Sequence, residues 1–326
     1  MWVIAAPGQA VAEVPAPDAG SDPVKAQGWS TVVYMWLAAG TVIALVALHA
    51  RGRRPLALGD DRVPWPLAPL PSLFLMAVLM VAGAAAASGA MQLSRASEAD
   101  SLRESVIASL ANYGTQLLLM AGIWWALSET LTRRAVDQPS ADARSAIAMG
   151  VRGARPDGAS APVSRARAAA VGALAMAIAW PLVQAAGVIA STVQRSVTGA
   201  DVPDAAHRTL ESMGQSGDPL WVAVMGVVAV ALAPLVEEIL YRGALQQALK
   251  GIGVPRMLAL MCASALFALA HWGILVAGAE AGALSMLVIL GLVFGWTYER
   301  TGSMWAPFAA HAAFNAANLA IFLAQR

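Results

Sequence analysis

Long apolar runs recur along the whole chain, and they constrain the fold more than any other feature. Each run is about 17–25 residues long, the length of helix that spans the hydrocarbon core of a bilayer. Of the 326 residues, 58% are hydrophobic and 13% are charged, whereas about a quarter of the residues of a soluble domain are charged. The sequence therefore predicts an all-α, polytopic membrane protein with about eight transmembrane helices.

The connections between these spans alternate in charge. The spans are expected at 30–50, 68–90, 106–128, 169–190, 220–249, 256–276, 282–298 and 304–323. The connections after the first, third and fifth spans are basic. The connection after the third span, 132–168, has seven arginines against three aspartates. The others are acidic or neutral, apart from a balanced stretch at 298–302. The positive-inside rule therefore predicts cytoplasmic basic loops and both termini outside.

Composition divides the chain into regions. They are a disordered tail at 1–29, an N-terminal three-span region at 30–131, a basic cytoplasmic linker at 132–168 and a five-span region at 169–326. The tail has neither the basic start nor the long apolar stretch of a signal peptide, so none is expected. Cys262 is the single cysteine, which excludes an intrachain disulfide and a cysteine-based zinc site.

Charged and polar side chains are concentrated in the C-terminal spans. Six of them are the candidate site residues: Glu237, Glu238, Arg242, His271, His311 and Asn315. A charged group in hydrocarbon costs about 3 kcal/mol or more, so it normally faces a protein interior or a wet cavity and marks function. The earlier spans offer only uncharged groups, such as Asn112, Gln116 and Gln184, for which interhelical hydrogen bonds are a sufficient role.

Helical spacing predicts which of these groups share a face. Glu238 and Arg242 are four residues apart, so they can pair on one side of a helix. Glu237 projects about 100° away from Glu238 and can face a different partner. His311 and Asn315 are again four residues apart and place two polar groups on one face of the last span.

Depth in the membrane brings three groups together. A rise of about 1.5 Å per residue, counted from the cytoplasmic turns, places Glu237, His271 and His311 near mid-membrane. A carboxylate in a pocket of low dielectric constant holds a proton more tightly, which makes it a better base. Histidines can relay the proton, and His and Asn side chains can donate to a developing oxyanion. The alternatives are a catalytic zinc on these three residues, although no HExxH motif is present, and a purely structural set of packing residues.

Three motifs occur in order, each on its own predicted span. "EEILYR" at 237–242 fits EExxxR, "FALAH" at 267–271 fits FxxxH, and "HAAFN" at 311–315 fits HxxxN. Together they resemble the CPBP family of intramembrane proteases, which includes the CAAX prenyl endopeptidase type 2 (the Rce1 type) and bacterial Abi-related or bacteriocin-processing relatives. The resemblance covers about 220–320 and implies a CPBP-like helical protease core within the C-terminal region.

The resemblance implies a role for each matched catalytic residue. Glu237 would be the general base that activates water, and His271 would assist it. His311 and Asn315 would stabilise the oxyanion of the tetrahedral intermediate. Members of the family are described as metalloproteases, yet a metal-independent glutamate mechanism is also argued for them. The resemblance therefore leaves two alternatives open: the protein uses no cofactor, or it uses zinc.

The remaining matched residues would support the site. Glu238 would pair with Arg242 and hold the helix in register, and Phe267 would pack beside the site. We therefore expect an intramembrane endopeptidase, a CAAX-protease-like hydrolase that uses water as the nucleophile. The alternatives are a non-catalytic scaffold or immunity protein of the same fold and a proton-coupled transporter.

Partners and location follow from the same features. The partners expected are the lipid bilayer and a peptide or membrane-anchored protein substrate, and no nucleic acid. The alanine-rich composition favours a bacterial source with a GC-rich genome, so the expected location is the bacterial inner membrane. Three motifs do not identify the substrate or imply recognition of a prenyl group.

Overall fold

The described part of the chain is built from helices. The structure, a computed structural model, describes residues 23–51, 67–94, 101–137, 163–200, 202 and 208–324. The helices are α1 (Pro23–Ala50), α2 (Pro69–Ser94), α3 (Ser101–Asp137), α4 (Arg165–Thr198), α5 (Arg208–Gln215), α6 (Pro219–Gly251), α7 (Arg256–Leu269), α8 (Glu280–Thr301) and α9 (Trp305–Ala324). The predicted all-α, polytopic fold is confirmed.

Seven helical stretches of the described residues are long and apolar enough to cross a membrane. They coincide with the second to eighth predicted spans. The first predicted span, 30–50, lies within α1, whose apolar stretch Val33–Leu48 is shorter than the other seven. Large apolar side chains such as Trp36, Phe74 and Leu118 are exposed on the outside of these helices, as lipid-facing side chains must be. The protein is therefore an integral, multi-pass membrane protein.

Several predicted boundaries differ from the structure. α1 begins at Pro23, inside the predicted tail, and positions 1–22 lie outside the described residues. α3 extends to Asp137 and α4 begins at Arg165, so the described ends of the predicted linker 132–168 are helical, and 138–162 lie outside the described residues. The sixth predicted span, 256–276, corresponds to Arg256–Ile274. Within it α7 ends at Leu269, and a turn and a short 3-10 helix, Trp272–Ile274, follow.

Local sequence signals fix several helix ends. Asp218 accepts a hydrogen bond from the backbone N–H of Leu220 at 2.9 Å, and Pro219 occupies the first turn of α6, where its missing N–H costs nothing. α8 ends at Gly302, whose φ of 64° lies in the left-handed region that glycine adopts freely. This turn directs α9 back beside α8.

The core lies between the C-terminal helices and α4. Phe267, Leu290, Phe294 and Phe314 are fully buried in one apolar cluster. α4 packs against both α8 and α9, and Gly172 permits the contact with α9, since a Cβ there would collide with the backbone carbonyl of Ala306. Close backbone approach through small residues is the usual way in which membrane helices pack.

A buried acidic residue ties three helices together at one end of this group. Glu299 of α8 receives Lys250 Nζ from the end of α6 at 2.9 Å and Arg256 Nη2 from the start of α7 at 2.9 Å. Gln246 Nε2 donates to the same carboxylate at 2.9 Å. The two basic residues of the connection after α6 are therefore partners of Glu299. We refer to Glu299, Lys250, Arg256 and Gln246 as the Glu299 cluster.

Candidate active site

α6, the helix that carries both adjacent glutamates, departs from regular α-helical geometry on either side of them. Residues Val228–Leu232 and Ile239–Leu245 form π-helical turns, and Ala233–Glu238 between them is α-helical. Wide turns of this kind inside an α-helix occur often at functional sites. Here they flank the α-helical turn that carries Glu237 and Glu238.

Pro234 explains the position of Asn315. In the first π turn the N–H of Ala233 donates to the carbonyl of Val228, so the next N–H in the series would serve the carbonyl of Ala229. That position is Pro234, which has no N–H. Asn315 Nδ2 of α9 donates to Ala229 O instead, at 2.7 Å. One amide hydrogen of Asn315 thus satisfies a buried carbonyl that α6 itself cannot satisfy.

Glu237 is 7% exposed and lies among side chains from three other segments. Its Oε1 accepts a hydrogen bond from the hydroxyl of Tyr113 on α3 at 2.9 Å. Its Oε2 lies 3.8 Å from His271 Nε2 and 3.9 Å from His311 Nε2. Within the described residues Oε2 has no hydrogen-bond partner. Glu237, His271 and His311, expected to meet, are therefore brought together, with one carboxylate oxygen open.

Glu238 contacts a different set of side chains, and both of its oxygens lie close to a nitrogen atom. Its Oε2 lies 3.1 Å from Arg242 Nε, as the four-residue spacing predicted, and both side chains are fully buried. Its Oε1 lies 2.8 Å from His311 Nδ1. Glu238 therefore joins α6 to α9 as well as pairing within α6.

The two histidines are held by their Nδ1 atoms. His271 Nδ1 lies 2.6 Å from the carbonyl oxygen of Phe267, and His311 Nδ1 lies 2.8 Å from Glu238 Oε1. Because both oxygens can only accept, each Nδ1 carries the hydrogen. A neutral His271 or His311 then presents the Nε2 lone pair towards Glu237, and a protonated one presents an N–H.

Aromatic rings enclose the charged groups. Phe267 packs edge-on against His271, with 4.9 Å between ring centroids, and Phe294 stacks on His311 at 4.6 Å. The guanidinium carbon of Arg242 lies 4.9 Å from the centre of the Phe267 ring, within the range of a cation–π contact. Phe267 thus packs beside the site, as expected, and also supports Arg242.

The charges of the site do not cancel without a proton. Glu237 and Glu238 carry two negative charges when ionised, and Arg242 carries one positive charge. An uncompensated buried charge is costly. One proton on the histidines neutralises the group, and His311 lies between the two glutamates.

Tyr113 is the site residue that sequence reasoning missed. It belongs to α3, in the three-span region for which only uncharged helix-packing groups were expected, and it contacts Glu237 directly. The sequence carries no motif around it. The contact of Asn315 with α6 did have a signal in the sequence, which is Pro234. A proline within an apolar span leaves one backbone carbonyl of its helix without a donor, so a neighbouring helix can supply one.

The side chains, as placed, do not fit a zinc ion. Among the described residues no three His, Cys, Asp or Glu side chains form a group that could hold a metal ion. Zinc bonds of about 2.0–2.1 Å in tetrahedral geometry put neighbouring ligand atoms about 3.4 Å apart, whereas Glu237 Oε2 is 3.8 and 3.9 Å from the two Nε2 atoms.

The C-terminal part of the chain, which carries the three motifs, matches a known protein family. Residues 219–317 match the family model described as type II CAAX prenyl endopeptidase Rce1-like. These residues are similar to that family, and we refer to 219–317 as the Rce1-like segment. The match contains all three motifs, so the resemblance expected from them is confirmed. No curated protein and no solved structure shows a significant match to the chain.

The side chains of the site come from two parts of the chain, one inside and one outside the matched residues. All six of the site residues predicted from the sequence lie within the Rce1-like segment, whereas Tyr113 lies outside 219–317 on α3. The family is that of a membrane peptidase, which agrees with a protease acting on a peptide or protein. The N-terminal helices therefore complete a site that the Rce1-like segment builds in the main.

Proposed function

We propose that the protein is an intramembrane endopeptidase that hydrolyses a peptide bond of a membrane-associated protein or peptide with water activated by Glu237 and His271. The observation that carries the proposal is the open Oε2 of Glu237, buried and 3.8 Å from His271 Nε2. Buried carboxylate oxygens are normally hydrogen-bonded, and exceptions call for an explanation. A reacting water explains this one.

The separation of the two acceptors suits one water molecule. At hydrogen bonds of about 2.8 Å each, two acceptors 3.8 Å apart subtend an angle of about 85° at the water oxygen. The water can then direct one hydrogen at Glu237 Oε2 and the other at His271 Nε2. Its lone pair faces away from both, towards an incoming carbonyl carbon.

The reaction then proceeds in two steps. Water oxygen bonds to the carbonyl carbon as Glu237 takes a proton, and the carbonyl oxygen becomes an oxyanion. The C–N bond next breaks as the proton passes to the leaving nitrogen, which gives a carboxylic acid and an amine. Tyr113 holds Oε1, which leaves Oε2 as the oxygen that takes the proton.

In the proposed mechanism His311 stabilises the oxyanion. When protonated it donates from Nε2, while Nδ1 remains bound to Glu238 and Glu238 remains paired with Arg242. Asn315 uses one amide hydrogen on Ala229, and its second N–H is the one that the oxyanion role requires. Donors fixed in advance stabilise a developing charge more than water does.

The experiment that tests the proposal is cleavage of a mixed library of transmembrane peptides by the detergent-purified, full-length protein. We expect Glu237→Gln and His271→Ala to abolish cleavage and Glu211→Gln, the same change at an exposed carboxylate on α5, to leave it intact. Cleavage that survives in Glu237→Gln would contradict the proposal. If a partner protein binds wild type and Glu237→Gln equally and neither cleaves, the scaffold alternative replaces it; proton uptake without cleavage would favour the transporter.

The proposal includes the bacterial inner membrane and cytoplasmic basic connections. Single cysteines placed at 140–160 and at 214–218 in a variant lacking Cys262 would be labelled from opposite sides by a membrane-impermeant thiol reagent. Labelling of both from the same side would contradict the proposed orientation.

A further inference from the structure

A cavity of about 530 Å³ lies between α2, α3 and α6. Its walls are formed by residues four positions apart on each helix: Ala84 and Ser88, Ser109 and Tyr113, Ala229 and Ala233. Residues at this spacing lie on one face of a helix. One face of each of three helices therefore bounds the cavity, and two of these helices, α2 and α3, precede the Rce1-like segment.

Two of these faces lead directly to Glu237. Glu237 follows Ala233 by four residues within an α-helical turn of α6. Tyr113 lines the cavity and donates its hydroxyl to Glu237. Ala270, the neighbour of His271 in the chain, also lines it. The cavity therefore adjoins the place where the buried Glu237 carries an oxygen without a hydrogen-bond partner in the described residues.

The lining combines small side chains with hydrogen-bonding ones. Alanines contribute much of the wall, whereas Ser88, Ser109, Asn112 and Thr209 carry donors and acceptors. A peptide unwound inside a membrane needs partners for its N–H and C=O groups, and small walls let its backbone come close. The volume lies within the range of about 300–1,000 Å³ that is usual for ligand pockets.

We propose that this cavity binds an unwound, extended segment of the substrate next to the scissile bond and selects small side chains there, such as Ala, Gly and Ser. The inference rests on the proposed function and gives it a substrate class. Larger side chains would meet the walls at Ala108 and Ala229. The second and third spans, α2 and α3, thereby acquire a role, which is to form the substrate site with α6.

The first test compares two transmembrane peptides that differ only in a short central window, of alanine in one and leucine in the other. We expect wild type to prefer the alanine window by at least about tenfold in kcat/KM, the scale on which a pocket discriminates by size. Ile274 also lines the cavity and is 42% exposed, so Ile274→Ala widens the cavity at little cost to packing. It should reduce the preference about tenfold, whereas Leu269→Ala, an exposed apolar residue outside the lining, should leave it unchanged.

The second test fills the cavity. Ser88→Leu should lower kcat/KM for both peptides about tenfold, whereas Ala85→Leu, on an exposed position of the same helix outside the lining, should not. If wild type cleaves, and both Ile274→Ala and Ser88→Leu behave as their controls do, the cavity is not the substrate site.

A binding measurement separates this inference from the proposed function. The fluorescently labelled alanine-window peptide is titrated into Glu237→Gln, alone and combined with Ser88→Leu or Ala85→Leu. Weaker binding only with Ser88→Leu supports the cavity, even if wild type cleaves nothing and the proposed function fails. Equal binding by all three overturns the inference, even if wild type is a protease.

Discussion

Two buried carboxylates of this protein are partnered in opposite ways. Both oxygens of Glu299 are occupied: Lys250 Nζ and Gln246 Nε2 donate to Oε1 and Arg256 Nη2 donates to Oε2, all at 2.9 Å. A buried carboxylate with this many donors holds helices together and has no free site for a reactant. The Glu299 cluster is a structural ion-pair group.

Among the residues that the structure describes, Glu237 has one donor, the hydroxyl of Tyr113, and one oxygen without a hydrogen bond that lies near two histidine nitrogens. Burial and charge are nearly the same at Glu237 and Glu299, which are 7% and 1% exposed. The two residues differ in their hydrogen bonds: both oxygens of Glu299 accept them, whereas Oε2 of Glu237 accepts none from the described residues. In the proposed mechanism the reactive carboxylate is the one whose hydrogen-bonding capacity is incomplete, because burial alone does not distinguish Glu237 from Glu299.

The largest effect expected is that of Glu237→Gln on cleavage. The change keeps shape and an acceptor for Tyr113 but removes the base, so the rate should fall by about 10³-fold. The melting temperature should stay close to that of the wild type, because Glu237 Oε2 lies 3.8 and 3.9 Å from the histidine Nε2 atoms and forms no close ion pair that the change would break. Peptide cleavage followed by mass spectrometry, with a thermal melt in the same detergent, measures both.

Glu299→Gln should show the reverse pattern. It leaves Lys250 and Arg256 without their partner, but both retain some exposure, so we expect a loss of about 1–3 kcal/mol in the free energy of unfolding. Cleavage per folded molecule should remain near the wild-type value. Loss of cleavage without loss of stability would show that the comparison between the two carboxylates is wrong.

Tyr113→Phe should have a smaller effect on the reaction. It removes the one hydrogen bond to Glu237 Oε1, and a hydrogen bond to a charged group is worth enough for about a tenfold fall in kcat. KM should change little, since the hydroxyl acts on the base. Tyr34→Phe on α1 is the matched control, and an equal effect of the two changes would exclude a positioning role for Tyr113.

Removal of metal should have the smallest effect. Because the three side chains are spaced too widely for zinc as they stand, a chelator should leave the cleavage rate unchanged. The assay uses protein purified without added metal, with and without the chelator. Loss of cleavage that zinc restores would mean that these side chains move to bind zinc, and Glu237 would then be a ligand.

Most of the membrane spans and most side chains of the candidate site could be predicted from the sequence. Hydropathy located the spans, since a bilayer demands a helix of a fixed minimum length. The cost of charge in hydrocarbon singled out Glu237, Glu238 and Arg242, and helical spacing predicted the Glu238–Arg242 pair. These signals are local, so they survive without knowledge of the packing.

Other contacts of the site could not be predicted in this way. Tyr113 lies 124 residues from Glu237 in the chain, and a tyrosine in an apolar span has no distinctive neighbours. Asn315 was expected at the oxyanion, and its bond to Ala229 depends on a π turn that places Pro234 where a donor is missing. Glu299 lay in a stretch of balanced charge, and nothing in the sequence indicated that Lys250, Gln246 and Arg256 would donate to it.

The sequence by itself determined that the chain crosses a membrane, which groups are costly to place there, and which of them share a helix face. Only the tertiary structure decided which oxygen of which glutamate remains open. The physical reason is that hydrogen-bond satisfaction is a property of a group and all its neighbours together. Those neighbours come from helices far apart in the chain, so the packing of α3, α6, α7 and α9 makes Glu237 different from Glu299.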